Sequence, residues 1–172
     1  MAKNLVLIGY RGAGKSTLAK KISRKVPLQL VSTDQELVRQ FGKSISDFVK
    51  ENGWESFRKE EKKVVEDFSQ KEDLLVDTGG GVVEDPENVR LLRESGIVFY
   101  LEADALTLSR RIEITGGRPS LTGTASAADE VAQVLAHRDP LYRAAAHHVI
   151  DVRETNFFKA VDEMVDIYQR EK

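Results

Sequence analysis

Gly9-Tyr10-Arg11-Gly12-Ala13-Gly14-Lys15-Ser16, near the start of the chain, carries the clearest chemistry in the sequence. It matches the pattern G-x-x-x-x-G-K-[ST] in full. The residue types suit a polyphosphate. Glycines let successive backbone N–H groups turn inward around phosphate oxygens. A helix opening at the loop adds unpaired amides and the positive end of its dipole. Lys15 brings a flexible positive charge to the outer phosphates, and Ser16 offers a hydroxyl to Mg2+. Gly12, Ala13, Gly14, Lys15, Ser16 and Thr17 are the candidate contacts to a nucleotide. A glycine-rich turn with a chance Lys-Ser would share this spelling. Here the pattern follows an apolar run and precedes a helical one, which is the context it needs. The motif alone does not separate kinases from motors or switches.

Other features narrow the choice. A chain of 172 residues is too small for most motors and large ATPases, and no N-K-x-D base-reading motif of a GTP switch is present. A small-molecule kinase needs a carboxylate near the acceptor hydroxyl, cations around the transferring phosphoryl and a lid that excludes water. The sequence offers all three. Asp34 follows a short apolar run at the open end of a strand, where α/β proteins bind ligands. Two roles are open to it on sequence alone: acceptor contact, or N-cap of the next helix. Arg58 and Arg138 could converge on a carboxylate, since guanidinium forks suit that anion. A surface ion pair with Glu60 or Glu61 is the alternative for Arg58, and a solvated helix end for Arg138. Gly79-Gly80-Gly81 exceeds what a turn requires and points to close backbone approach. The small, polar stretch from Ser120 to Ala127, preceded by Arg118-Pro119, has the composition of a lid.

The elements that must position these residues alternate between strand and helix. Leu5-Val6-Leu7-Ile8 reads as a buried strand, and a helix follows to about Arg24. Further strands are expected over Leu28–Val31, Leu74–Val76, Ile97–Leu101 and His148–Val152. Helices are expected from Asp34 to near Gly42, from Ser44 to a break at Asn52-Gly53, and from Trp54 to Phe68. Others run from Pro86 to about Glu94, Asp104 to Ile112, Ala128 to His137, and onward from Asn156. Such alternation implies a parallel sheet covered on both faces.

Composition sets outer bounds. With 41% hydrophobic and 31% charged residues the chain has a globular composition, and its length suits one domain. A net charge of −2 gives no case for nucleic-acid binding. No apolar run reaches membrane-spanning length, and the opening residues lack a signal-peptide pattern. The absence of cysteine excludes disulfides and thiolate metal sites. The expectation is a cytoplasmic protein. His137, His147 and His148 form no convincing metal set.

The motif series Gly9–Thr17, Thr33-Asp34, Gly42-Lys43-Ser44-Ile45, Phe57-Arg58, Gly79-Gly80-Gly81, Arg118-Pro119 and Arg138-Asp139-Pro140-Leu141-Tyr142-Arg143 resembles the shikimate kinases, in order and over most of the chain. The resemblance implies a three-layer α/β P-loop kinase fold of the nucleoside-monophosphate-kinase type. A parallel five-stranded sheet would carry helices on both faces. It implies a single kinase domain over 1–172, with a substrate-binding helical segment at about 34–60 and a lid at about 113–126. It implies transfer of the ATP γ-phosphate to the 3-hydroxyl of shikimate, a step of aromatic amino acid biosynthesis, by an enzyme expected to act as a monomer. By the same resemblance Asp34 is the candidate base, and Arg58 and Arg138 clamp the substrate carboxylate. Gly79, Gly80 and Gly81 approach the substrate, and Arg118 contacts phosphates from the lid. Arg110 or Arg111, of which Arg110 is the choice, and Arg153 with the region to Phe157 would meet adenine.

One position departs from the family pattern. An Asp-x-Asp pair usually follows the second strand, and here Ser32-Thr33-Asp34 stands in its place. The missing carboxylate is the one expected near Mg2+. Leu74-Leu75-Val76-Asp77 ends in an acid placed like that of a Walker-B strand, so Asp77 could supply the carboxylate. Capping the turn at Thr78 is its alternative. Two other functions stay open at this stage: a related kinase, such as gluconate kinase, and a catalytically silent nucleotide-binding protein.

Overall fold

The computed structural model describes residues 3–115, 127–154 and 156–172. Five parallel strands form one sheet in the order β2-β3-β1-β4-β5. They are β1 (Asn4–Ile8), β2 (Gln29–Ser32), β3 (Leu74–Asp77), β4 (Gly96–Glu102) and β5 (His148–Asp151). The three inner strands are runs of Leu, Val and Ile because both of their faces are covered. Leu5, Val6, Leu7 and Ile8 have no exposed surface at all. Each such side chain contributes about 1.5–3 kcal/mol of burial. The edge strands β2 and β5 keep exposed positions.

Helix α1 (Lys15–Ile22) joins β1 to β2, and α4 (Pro86–Ser95) joins β3 to β4. These two connections run in opposite directions along the sheet. Right-handed crossovers therefore place them on opposite faces. A crevice opens at the carboxyl ends of β1 and β3, which is where ligands lodge in such sheets.

The helices around that crevice start and stop for local reasons. Helix α2 (Thr33–Phe41) is capped by Ser32, whose hydroxyl accepts from the Gln35 amide at 3.3 Å, and it ends at Gly42. Helix α3 (Ile45–Ser69) is capped by Ser44, which accepts from the Asp47 amide at 3.0 Å. Gly53 interrupts it with φ 80° and ψ 166°, as the Asn52-Gly53 pair predicts, so its two halves lie at an angle. In α4, Pro86 occupies the first turn and Asp85 caps it by accepting from the Glu87 amide. Helix α5 (Ala105–Thr115), helix α6 (Ala127–Ala145) and helix α7 (Phe158–Glu171) complete the described elements.

Two features differ from the sequence reading. Helix α6 does not end at His137 but runs through Pro140 to Ala145. Proline removes one helical hydrogen bond and crowds the carbonyl four residues back. Tertiary packing outweighs that local cost. Tyr142 is fully buried, stacks on Tyr100 at 4.9 Å and donates its hydroxyl proton to the Gly80 carbonyl at 2.5 Å. The second feature is a short 3-10 turn, Val82–Glu84, between the glycine run and α4.

Candidate active site

The phosphate loop leaves β1 at Gly9 and enters α1 through Gly14, which has φ 94° and ψ 18°. Any other residue there would be strained, and a Cβ would lie 2.8 Å from the Phe157 ring. No side chain caps α1, so its first amides are not spent on a capping group. Lys15 is buried, and its ammonium donates to the carbonyls of Gly9 at 2.7 Å and Tyr10 at 3.1 Å. The lysine is thus folded into its own loop.

A cavity of about 650 Å3 lies along this loop. Gly12, Gly14, Lys15, Ser16 and Thr17 line it, together with Asp77. Ser16 donates to the Asp77 carboxylate at 2.6 Å, and Asp77 is nearly inaccessible to solvent. Asp77 is the register partner of Ser32 on the neighbouring strand, and both face this cavity. A carboxylate thus stands beside Ser32, one strand over. Ser32 itself caps α2, which leaves Asp34 in the first turn and not at the cap.

Arg111 lines the same cavity and Arg110 does not; Arg110 is exposed. The Arg111 guanidinium lies 5.3 Å from the centre of the Phe157 ring and donates to the Val152 carbonyl at 2.6 Å. Arg111, and not the expected Arg110, therefore faces the cavity, because a helix turns about 100° per residue and only one neighbour can face inward. The side chain of Arg153 is outside the cavity, exposed and paired with Asp151, although its carbonyl accepts from Arg111. Phe157 is the residue of that region which reaches the site.

A second cavity, of about 970 Å3, adjoins the first. Asp34, Arg58, Gly79, Gly80, Gly81 and Arg138 line it, so all the candidate acceptor contacts converge there. Phe57 and Trp54 add apolar wall. Arg11, Asp34, Gln35 and Gly80 line both cavities and form the boundary between them. Arg11 is also 3.6 Å from Glu130 of α6.

Each acceptor-side arginine is backed by a carboxylate. Arg58 donates to Glu61 at 2.6 Å, and Glu61 is 1% exposed. Burial pushes the Glu61 carboxyl above its ordinary range; Arg58 pulls it back and nearby Asp34 pushes it further up. Arg138 is buried and donates through Nε to Glu84 at 2.8 Å. The glycine run fits between these groups. A Cβ on Gly79 would stand 2.8 Å from Asp34 and 3.0 Å from Glu61, and one on Gly81 would overlap the Arg58 guanidinium.

Arg118 and almost all of the expected lid, 113–126, lie outside the described residues. Sequence reasoning assigned no role to Trp54 or Glu84, passed over Arg11 and gave Glu61 only as a possible surface ion-pair partner of Arg58. Arg11 is inside the glycine-rich motif, and Glu61 stands three residues from Arg58, a spacing at which helical side chains meet. Glu84 had no such signal.

Comparison with known proteins bears on what fills these cavities. The family model described as "Shikimate kinase" matches residues 11–169. "Shikimate kinase 2" of Enterobacter sp. (strain 638) is 41% identical over 158 residues, 90% of each chain. The shikimate kinase of Oleidesulfovibrio alaskensis is 42% identical over 152 residues, 87% of this chain and 88% of its own. Among solved structures, shikimate kinase from Acinetobacter baumannii in complex with shikimate superposes with a TM-score of 0.87. It is 30% identical and covers 99% of this chain and 93% of its own. A gluconokinase from Sinorhizobium meliloti 1021, at 18% identity and a TM-score of 0.62, shares the fold alone. A family match over all but the ends of the chain, supported by relatives at about two-fifths identity, makes this ATP-using phosphotransferase a member of the shikimate kinase family.

Proposed function

We propose that this chain transfers the γ-phosphoryl group of ATP to the 3-hydroxyl of shikimate, with the roles of its residues divided between the two cavities. The observation that carries this reading is the shared boundary, where Asp34 lines both the phosphate-loop cavity and the arginine-lined one. A carboxylate so placed can hold an acceptor hydroxyl against the terminal phosphate and accept its proton as the bond to phosphorus forms. Arg58 and Arg138 bind the acceptor carboxylate from two sides. Gly79 to Gly81 let backbone approach the ring, and Trp54 and Phe57 cover it.

On the nucleotide side, the amides of Gly12 to Thr17 hold the phosphates, and Lys15 neutralises charge that builds on the transferring group. Arg111 and Phe157 form a flat wall above the loop, suited to stacking a purine. Ser16 and Asp77 supply a hydroxyl and a carboxylate, hard oxygen donors that fit Mg2+. Held there, Mg2+ would offset the negative charge of the phosphates. Among the described residues no cluster of three or more acidic, His or Cys side chains could hold a metal by itself. The two donors therefore suit an ion that arrives with its nucleotide and keeps several waters. Arg118, by the family resemblance, closes on the phosphates with the lid.

By the family resemblance the enzyme acts as a monomer. Among the described residues no helix is long and apolar enough to cross a membrane. We place the activity in the cytoplasm, where ATP is supplied. A coupled ADP-release assay with Mg-ATP over shikimate, gluconate and nucleoside monophosphates tests the reading, with phosphorus NMR locating the new ester. Turnover confined to shikimate, with the phosphate on O3, is expected. Preferred turnover of gluconate, or tight binding of ATP and shikimate without turnover, would refute it.

A further inference from the structure

A long arginine side chain holds a ligand only as well as it is itself held, because each ordered rotor costs entropy. Arg138 reaches the acceptor cavity from α6, and Glu84 meets it from the 3-10 turn that follows Gly81. One Glu84 oxygen accepts from Arg138 Nε at 2.8 Å, and the other lies 3.0 Å from His137 Nε2. Two adjacent residues of α6 thus grip both oxygens of one carboxylate. Burial alone would raise the Glu84 carboxyl, but hydrogen bonds from Arg138 and His137, with their charges, outweigh it and hold it below the ordinary range. Glu84 accordingly stays ionised at neutral pH.

The turn that carries Glu84 is fixed in its own right. The Glu84 amide donates to the Gly81 carbonyl at 3.1 Å, and the Asn88 side chain donates to the Val82 carbonyl at 3.3 Å. One short segment therefore sets both the glycine run and the carboxylate behind Arg138. Glu84 is absent from the lining of the acceptor cavity and instead lines a smaller cavity behind it, with Trp54, Arg58, His137 and Arg138.

We propose that Glu84 is a positioning residue for acceptor binding, which fixes the Arg138 fork at the cavity while His137 steadies its second oxygen. The inference rests on the reading that Arg138 binds the acceptor carboxylate. Engaging Nε suits this role, because the paired Nη groups can still grip a carboxylate end-on.

The test compares Glu84→Ala, Glu84→Gln and Arg138→Ala by steady-state kinetics and by shikimate titration of fluorescence. The chain has a single tryptophan, Trp54, and it lines the acceptor cavity, so fluorescence reads binding without turnover. Losing a hydrogen bond to a charged group raises the shikimate KM and Kd roughly ten-fold in Glu84→Ala. The ATP KM and kcat stay within about two-fold, since the nucleotide cavity is untouched. Glu84→Gln, whose amide oxygen still accepts from Nε, recovers most of the loss. An unchanged shikimate KM in Glu84→Ala, with a large rise in Arg138→Ala, would overturn the positioning role alone. An unchanged shikimate KM in Arg138→Ala would overturn the clamp reading and this inference together. A Glu84→Ala enzyme that loses kcat and both KM values in parallel, with a lowered Tm, would show a merely structural role and overturn it as well.

Discussion

Replacing Gly81 by alanine separates catalytic geometry from folding in a way that few substitutions in this site can. The backbone at Gly81 has φ −93° and ψ 7°, which alanine adopts without strain. The added Cβ would overlap the Arg58 guanidinium, Nη2 most closely, whereas ordinary contact begins near 3.4 Å, so the guanidinium must retreat by somewhat more than ~1 Å. Only the far end of a flexible side chain has to move. The loss of glycine entropy in the unfolded chain stabilises by about 0.4–1 kcal/mol. Weakening the Arg58–Glu61 hydrogen bond costs about 1.5–3 kcal/mol. The net loss is about 0.5–2.5 kcal/mol, which lowers Tm by about 1–10 °C for a chain of this size. Misplacing a binding group by about 1 Å can reduce catalytic efficiency roughly 100-fold. Gly81→Ala should therefore fold normally, keep its ATP KM and raise its shikimate KM roughly 10–100-fold. Steady-state kinetics with either substrate varied, beside a thermal melt, decide the matter. An unmoved shikimate KM would refute the clamp geometry. An equal rise in both KM values, or a Tm loss well beyond the stated range, would show that the substitution acts on the fold.

Asp77→Ala should raise the Mg2+ concentration for half-maximal rate roughly ten-fold. Adding Ser32→Asp should restore it, because positions 32 and 77 are register partners; an unchanged Mg2+ dependence in the single variant would end that role. Glu61 carries a second prediction, on pH and stability. Its carboxyl is raised in the folded chain, so its stabilising contribution is complete below the ordinary value of 4.5 and is lost as pH rises through the folded value. Glu61→Gln removes that titration, so the Tm difference between variant and parent should move in favour of the variant from about pH 4 to about pH 8. Melts that show a pH-independent difference would contradict the assignment.

What could be read from the sequence was what local signals encode densely. The phosphate loop, the break at Gly53 and the run of glycines each announce themselves within a few residues. The start of α4 at Pro86 and the all-parallel sheet follow from the same kind of signal, whereas α2 is capped by Ser32 and not by Asp34. Tertiary packing decided the rest. Pro140 argues locally for a helix end, and only the burial of Tyr142 and Arg138 keeps α6 going. Arg110 and Arg111 carry the same chemistry, and which one faces inward depends on helix phase. Arg153 looked like a nucleotide contact but is drawn to Asp151, two residues away. Glu84 lies in a turn without periodicity, and its partner is 54 positions further along the chain. Asp77 was legible as a candidate because three apolar residues precede an acid, while its meeting with Ser16 across 61 positions was not.

The two cavities share Arg11, Asp34, Gln35 and Gly80 as common lining. Chemically, that makes the pair a single extended receptor with two unlike ends, one cationic and cyclic-acid-shaped, the other a phosphate cradle. A molecule joining a cyclohexene carboxylate to a nucleoside polyphosphate through a short tether would engage both ends at once. Its second attachment would then be intramolecular, and its affinity would exceed that of either half by a factor set by tether length.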